Sequence, residues 1–309
     1  MTRPAPPQYV DLQVNGYMGV DLNADDLSAE QLHAACGHLR GDGVAGILAT
    51  VVTAGLADMA ARLARIASYR REDALAREVI WGVHIEGPFI SPVPGYVGAH
   101  PPEHVRAADL DAMRRLLDAA DGLTRLVTLA PERDAGLAVT RFLAGQGILV
   151  SAGHCDPSLD QLRAALDAGL SMFTHLGNGC PMTLPRHDNV IQRVLSLSDR
   201  LTIMFIADGV HVPYPALRNY LRVALGDRAL VVTDAISAAG LGPGRYTIGS
   251  QVVQVGDDLV ARAPDASHLM GSTGTMPRMA RGLAAEVGLS AREVRRLTST
   301  NPGRVLGPA

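Results

Sequence analysis

Eight short runs of apolar and β-branched residues recur along this chain, each followed by a loop and an Ala/Leu/Arg-rich stretch with helical spacing. The runs fall at roughly 9–15, 43–53, 79–86, 125–131, 148–154, 172–177, 201–208 and 229–234. Between them lie segments such as DLSAEQLHAACGHLR, LADMAARLARIASYR and DLDAMRRLLDAA. Several carry Asp or Ser near the start, where a helix N-cap belongs. Eightfold alternation of strand and helix, with no second compositional regime, is the pattern of a closed parallel barrel. Residues 1–309 therefore read as one α/β domain of the (β/α)₈ TIM-barrel class. The competing arrangement, a doubly wound open sheet, wants a glycine-rich phosphate turn after its first strand. Gly16 and Gly19 supply only a fragment of one.

One stretch breaks the rhythm. Residues 240–264, GLGPGRYTIGSQVVQVGDDLVARAP, predict a β-hairpin inserted after the eighth strand, with Gly-Asp-Asp as the turn signal. No internal repeat or low-complexity linker is evident apart from a Pro-rich first seven residues.

Composition narrows the partners. Hydrophobic residues make up 47% but aromatics only 4%, which favours short buried strands and Ala-rich helices over a β-sandwich. A formal net charge of −3, without any Lys/Arg block, gives no reason to expect nucleic acid or an anionic membrane. No apolar run approaches the roughly 18 residues of a membrane span, and the start, MTRPAPPQYV, lacks signal-peptide character. Cys36, Cys155 and Cys180 are odd in number and far apart, so no disulfide framework is expected. A reducing, cytoplasmic location fits.

In a parallel barrel the active site forms where the C-terminal strand ends meet the loops. The third run, WGVHIEGPF, ends at Glu86; the fifth, ILVSAGH, at His154; the sixth, MFTHLGN, at His175. The seventh, IADGVH, reaches His211, and the eighth, LVVTDA, closes on Asp234. Singly, each histidine reads as a hydrogen-bonded structural residue and Asp234 as an N-cap. Glu86 is harder to excuse, because a carboxylate at the tip of an apolar strand needs a cation or several donors. Together the five groups converge on one mouth. Glu86, His154 and His175 make a His₂Glu set, which suits zinc and leaves a position for water whose pKa then falls to about 7. Iron(II) or another first-row ion is an alternative. Asp234 is the candidate base. His100, in GYVGAHPPEH, is either an oxyanion stabiliser or an exposed loop histidine.

The blocks HIEGPF, GAHPPEHV, TLAPE, SAGH, THLGN, IADGVHV, VTDA and LMGS occur in that order across nearly the whole chain. This chain thereby resembles the N-acetylglucosamine-6-phosphate deacetylases of the amidohydrolase superfamily. The resemblance implies metal-dependent hydrolysis of the acetamide of an N-acetyl amino sugar, with one divalent ion held by Glu86, His154 and His175. It implies Asp234 as catalytic aspartate and His100 as the group polarising the acetyl carbonyl. Substrate contacts carried over the same way are Ala99, Asn178, Gly179, Arg186 (for phosphate), His211, and the stretch Leu269, Met270 and Gly271. A homodimer is a further family analogy.

Departures from the family pattern bear on metal and substrate. Where many amidohydrolases have His-x-His on the first strand, this chain has Gln13 and Asn15, which argues for a mononuclear site. The small β-sandwich that accompanies most members is expected to be absent or vestigial. After the second ligand histidine stand Gly177, Asn178, Gly179 and Cys180, where the family has a bulky aromatic followed by Asn-Ala-Met. The pocket is therefore either wider or filled by a neighbouring side chain. An unphosphorylated or larger N-acyl substrate, and a non-catalytic sugar-binding barrel, are the rival functions. Cys155, adjacent to His154, points to the opposite face of its strand and reads as packing.

Overall fold

The computed structural model describes residues 9–307 except 225, 250 and 267; the Pro-rich start lies outside the described residues. Eight parallel strands form one sheet in sequence order: β1 (Tyr9–Val14), β2 (Val44–Val52), β3 (Ile80–Glu86), β4 (Thr124–Leu129), β5 (Leu149–Ala152), β6 (Met172–Phe173), β7 (Thr202–Ile206) and β8 (Ala229–Val232). Their residues are mostly apolar and buried on both faces, as strands wrapped by helices must be. This is the expected (β/α)₈ barrel.

The circle closes through side chains as much as backbone. Between β1 and β8 a single bridge forms, Val14 with Ala235. The amides of Asn15 and Gly16 both donate to the Ala235 carbonyl, at 2.7 and 3.0 Å. One turn of the seam lower, the buried Asp11 carboxylate accepts from the amide and hydroxyl of Thr233, at 3.1 and 2.5 Å.

The helices on the outside follow their local signals. Ser28 and Ser158 form reciprocal capping boxes at the starts of Ala29–Gly41 and Leu159–Asp167, and Asp109 caps Leu110–Ala119. Helix Leu56–Glu72 turns Met59, Leu63 and Ile66 onto the barrel, at i, i+4 and i+7 spacing.

Several strands stop short of the expected runs, for one physical reason. His154, His175 and Asp234 have φ of 51°, 33° and 50°. Left-handed backbone cannot continue a strand ladder and is costly for a residue with a Cβ. Each of these residues therefore leaves its strand and swings its side chain across the mouth.

Inside the barrel, directly beneath that mouth, lies a polar layer rather than an apolar one. His84 Nε2 meets Thr128 Oγ1, Thr128 meets Thr174, and Thr174 meets Ser151, each contact at 2.7 Å. His84 precedes Glu86 by two residues on β3, so both face inward.

The segment after β8 forms a three-stranded antiparallel sheet, β9 (Gly244–Ile248), β10 (Gln251–Val255) and β11 (Ala261–Arg262). The expected hairpin is present, with Ile248 paired to Gln251, so Gly256-Asp257-Asp258 is not its turn. Gly256-Asp257-Asp258 instead links the second strand to the third. A separate apolar cluster, including Ile236, Val253, Val255, Ala261 and Met270, seats this sheet beside the mouth. Gln251 Nε2 donates to the Ala99 carbonyl at 2.9 Å, tying the sheet to the loop that carries His100.

Candidate metal centre

Three strand ends bring Glu86, His154 and His175 together. Glu86 Oε1 lies 3.0 Å from His175 Nε2 and 3.3 Å from His154 Nε2, and the two ring nitrogens are 3.1 Å apart. All three side chains are buried, and they are the one group of metal-ligating type found among the described residues.

The protonation pattern fits a cation. His154 Nδ1 sits 2.9 Å from the Tyr96 carbonyl, which can only accept. The ring therefore donates through Nδ1, leaving Nε2 bare when neutral. Its lone pair, the Glu86 carboxylate and His175 Nε2 converge on one point. Such a convergence is repulsive unless a proton or metal ion lies within it. Burial pushes the Glu86 carboxyl up, but the neighbouring imidazoles of His154 and His175 outweigh this and hold it well below its usual range. For His175 burial acts downward, and the Glu86 carboxylate more than reverses it. A divalent ion meets the same electrostatic demand.

Two glycines clamp the His154 ring. A Cβ on Gly98 would come within 2.9 Å of its Cε1, and one on Gly179 within 2.9 Å of its Nδ1. Both have φ of +59°. Gly98 was not singled out by the sequence; its only signal is a glycine two residues before His100.

Gln13 and Asn15 take the places of a His-x-His pair and act as donors. Gln13 Nε2 donates to Glu86 Oε2 at 3.1 Å, and Asn15 Nδ2 to Asp234 Oδ1 at 2.7 Å. Their amide oxygens are buried without partners. Asp234 remains partly accessible from the mouth. Its carboxyl is pushed up to about 6, by burial first and then by the Glu86 charge, against the pull of His175, His211 and the Asn15 hydrogen bond.

His100 is buried, not an exposed loop residue. Its Nε2 lies 3.3 Å from His154 Nε2, and its Nδ1 lies 2.8 Å from Thr53 Oγ1. Burial and the neighbouring His154 push its pKa down to about 3, so the ring is neutral.

His211 is held by a partner the sequence reading passed over. Asp208 accepts from His211 Nδ1 at 2.7 Å and, through its other oxygen, from the amides of Val210 and His211. Ser272 also donates to Asp208, at 3.2 Å. Burial raises the Asp208 carboxyl, but these bonds bring it down to about 2. An aspartate three residues before a histidine just past a strand end is the signal that could have found it.

Leu269, Met270 and Gly271 lead into Ser272, whose amide donates to the Asp234 carbonyl at 3.0 Å. That places the stretch along the Asp234 edge of the mouth. Asn178 and Gly179 follow His175, with the Asn178 amide bonded back to the His175 carbonyl. Beside Gly177, Val212 Cγ2 and Tyr220 Cε2 stand 3.2 and 3.8 Å from where a Cβ would be. Neighbouring side chains thus occupy part of that space, and Tyr220 is itself stacked on Phe205. Arg186 is exposed, within the largely exposed stretch 181–188.

A barrel with a buried His₂Glu set, a neighbouring aspartate and a neutral histidine defines the metal-dependent amidohydrolases. Comparison with known proteins names the branch. The chain is 33% identical over 301 residues to the N-acetylgalactosamine-6-phosphate deacetylase of Escherichia coli O157:H7, covering 97% of this chain and 78% of that protein. It is 35% identical over 312 residues to the N-acetylglucosamine-6-phosphate deacetylase of Bos taurus, covering 97% and 74%. The crystal structure of the N-acetyl-D-glucosamine-6-phosphate deacetylase from Mycobacterium smegmatis superimposes with a TM-score of 0.88 at 31% identity, over 99% of this chain and 82% of that one. An aspartate-to-alanine variant of that enzyme was solved with N-acetyl-D-glucosamine-6-phosphate, and matches equally well. No protein-family profile matches the chain. The chain belongs to the N-acetylglucosamine-6-phosphate deacetylase family.

Proposed function

We propose that the protein hydrolyses the acetamide of an N-acetyl amino sugar 6-phosphate, releasing acetate and the free amine. The observation that carries this reading is the His₂Glu cluster with Asp234 and neutral His100 on its rim. A divalent ion held by Glu86, His154 and His175 would supply Lewis acidity toward the acetyl carbonyl and toward water. Zinc is the ion we favour for two imidazoles and a carboxylate, with iron(II) the alternative. One ion is expected, because Gln13 and Asn15 offer amides where a second would want imidazoles.

The chain's own residues do the rest. Asp234, raised toward neutrality, takes the proton of the attacking water and passes it to the departing nitrogen as the C–N bond breaks. His100 donates to the carbonyl oxygen as negative charge builds there. Asn15 holds Asp234 in place through one oxygen, leaving the other for the proton. His211, fixed by Asp208, and the Leu269–Gly271 backbone are the proposed sugar contacts, with Ala99, Asn178 and Gly179. Arg186 is the proposed phosphate contact, a role that requires its exposed stretch to meet the substrate. A second copy of this chain is the macromolecular partner we propose. The full exposure of Met182 on the same stretch supports it, and light scattering tests it. Three free thiols support a reducing cytoplasm, and no described helix is long and apolar enough to cross a membrane.

Acetate release from a panel of N-acetyl amino sugars, each with and without a 6-phosphate, tests the whole. The expected result is turnover of a phosphorylated sugar that weakens in Arg186→Ala through a higher KM. Equal turnover of unphosphorylated sugars, with Arg186→Ala silent, would transfer the function to the rival N-acyl substrates.

A further inference from the structure

We propose that Arg193 is a positioning residue for phosphate selectivity: its guanidinium locks the base of the stretch carrying Arg186 onto the loop that follows His154. The proposal rests on the reading of Arg186 as the phosphate contact for its consequence, but not for its geometry.

Arg193 lies on the short helix Val190–Leu195. Its side chain is only 16% exposed, so water screens its contacts less than it screens an ordinary surface pair. Toward its own stretch, Nε donates to Asp188 Oδ1 at 2.6 Å and Nη2 to the Asp188 carbonyl at 3.5 Å. Toward the other loop, Nη1 donates to Asp156 Oδ1 at 2.9 Å and to the Pro157 carbonyl at 3.0 Å. Every acceptor is a carboxylate or carbonyl oxygen, so the direction of donation is fixed. A planar fork of donors spans two partners at once, which the point charge of a lysine does not. One side chain thus joins the loops that leave two adjacent strand tips, those of β5 and β6.

Both sides of this clamp are braced. The Asp156 amide donates to Glu132 Oε1 at 2.7 Å, just past the end of β4. Asn189 Nδ2 donates to the Pro185 carbonyl at 2.7 Å, while its Oδ1 accepts from the Gln192 amide and caps the helix. Pro185 and Asp188 are therefore held on either side of Arg186, which stays exposed between them. At the far end of the stretch, Pro181 packs so tightly on Gly95 that a Cβ there would stand 2.7 Å from it. Fixing the backbone beneath a long side chain lowers the ordering cost of binding an anion.

The test uses Arg193→Gln, which removes the charge and the fork, in wild-type and Arg186→Ala backgrounds. Asp188→Ala, at an exposed position, releases the same clamp from its other side if Arg193→Gln fails to fold. Affinity for glucosamine 6-phosphate and for glucosamine is measured by calorimetry on zinc-loaded protein, beside KM and kcat for the two N-acetylated forms. In Arg193→Gln, affinity for the phosphorylated amine is expected to fall and KM for its N-acetyl form to rise, each about tenfold. Values for the unphosphorylated sugars, kcat and zinc content are expected to stay within about twofold of wild type, with a smaller KM rise in Asp188→Ala. In the Arg186→Ala background Arg193→Gln is expected to add nothing, the non-additivity of residues acting through one contact. A phosphorylated sugar bound as well as in wild type, an equal loss with the unphosphorylated one, or a full further loss beyond Arg186→Ala overturns the proposal. If Arg186→Ala alone is silent, the phosphate reading fails and takes the proposal with it; if only the Arg193 arm is silent, that reading stands.

Discussion

Asn15 and Asp234 are joined by a 2.7 Å hydrogen bond across the seam where the last barrel strand meets the first. The two residues are 219 positions apart in the chain, and the bond fixes one carboxylate oxygen while the other stays available. Since the bond favours the ionised carboxylate, its removal raises the Asp234 pKa. We predict that Asn15→Ala retains metal but moves the acid limb of the pH–rate profile upward, with kcat lower by about tenfold. A limb that stays in place would show that Asn15 does not govern the base.

The pH profile of the unaltered protein follows from the same carboxyl. Burial and the Glu86 charge lift Asp234 to about 6. A base works only when ionised, so turnover is lost as pH falls through the Asp234 value. A nearby divalent ion favours the anion, which places the limb at or below about 6. An acid limb well above pH 7 would point to another group. In Asp234→Asn, kcat is expected to drop by about a thousandfold or more, with zinc content unaltered.

Glycine at 98 is a demand of the ring it touches. Gly98→Ala would thrust a methyl group to within 2.9 Å of His154 Cε1, on backbone already left-handed. The imidazole would have to tilt away from its two co-ligands. Metal affinity is expected to fall by about 10- to 100-fold, the range seen when a ligand's support is disturbed. Competitive chelation measures it directly. Retention of full affinity would mean the ring can move without cost.

Metal removal should also be felt in stability. Without a cation, Glu86, His154 and His175 are left to share protons in a buried site. At a thousandfold excess of metal over Kd, binding contributes about 4 kcal/mol. Chelation is therefore expected to lower Tm by on the order of 10 °C, reversibly on adding zinc. Calorimetry with and without chelator checks this, and identical melting curves would argue against a structural contribution.

The barrel was legible because its signal repeats. Eight apolar runs of strand length, each trailed by a helical stretch, leave few architectures open, and Glu86, His154 and His175 could be placed at the strand tips from that rhythm. The strand ends themselves were less legible: β6 is expected to run to residue 177 yet stops at Phe173. Apolar pattern does not report that His175 turns into left-handed backbone. Gly98, Arg193 and Asp208 escaped notice because their roles lie in contacts, not in patterns. Arg193 meets Asp156 from 37 residues away, and a lone arginine on a short helix is unremarkable in a sequence. Arg186 came instead from the family resemblance, through its place eleven residues after His175, and the fold sets it on an exposed stretch.

Among the described residues the β1–β8 seam has one backbone bridge, Val14 with Ala235, beside the hydrogen bonds of Asp11 and Ala235, whereas the neighbouring strands of the circle are paired by ladders of several residues. The staves on its two sides carry different parts of the machinery: the amides that steady both carboxylates on one, the proton carrier on the other. A brief unzipping there would separate Asn15 from Asp234 while most of the barrel stayed intact. The hoop would then fail first as a catalyst and only later as a fold.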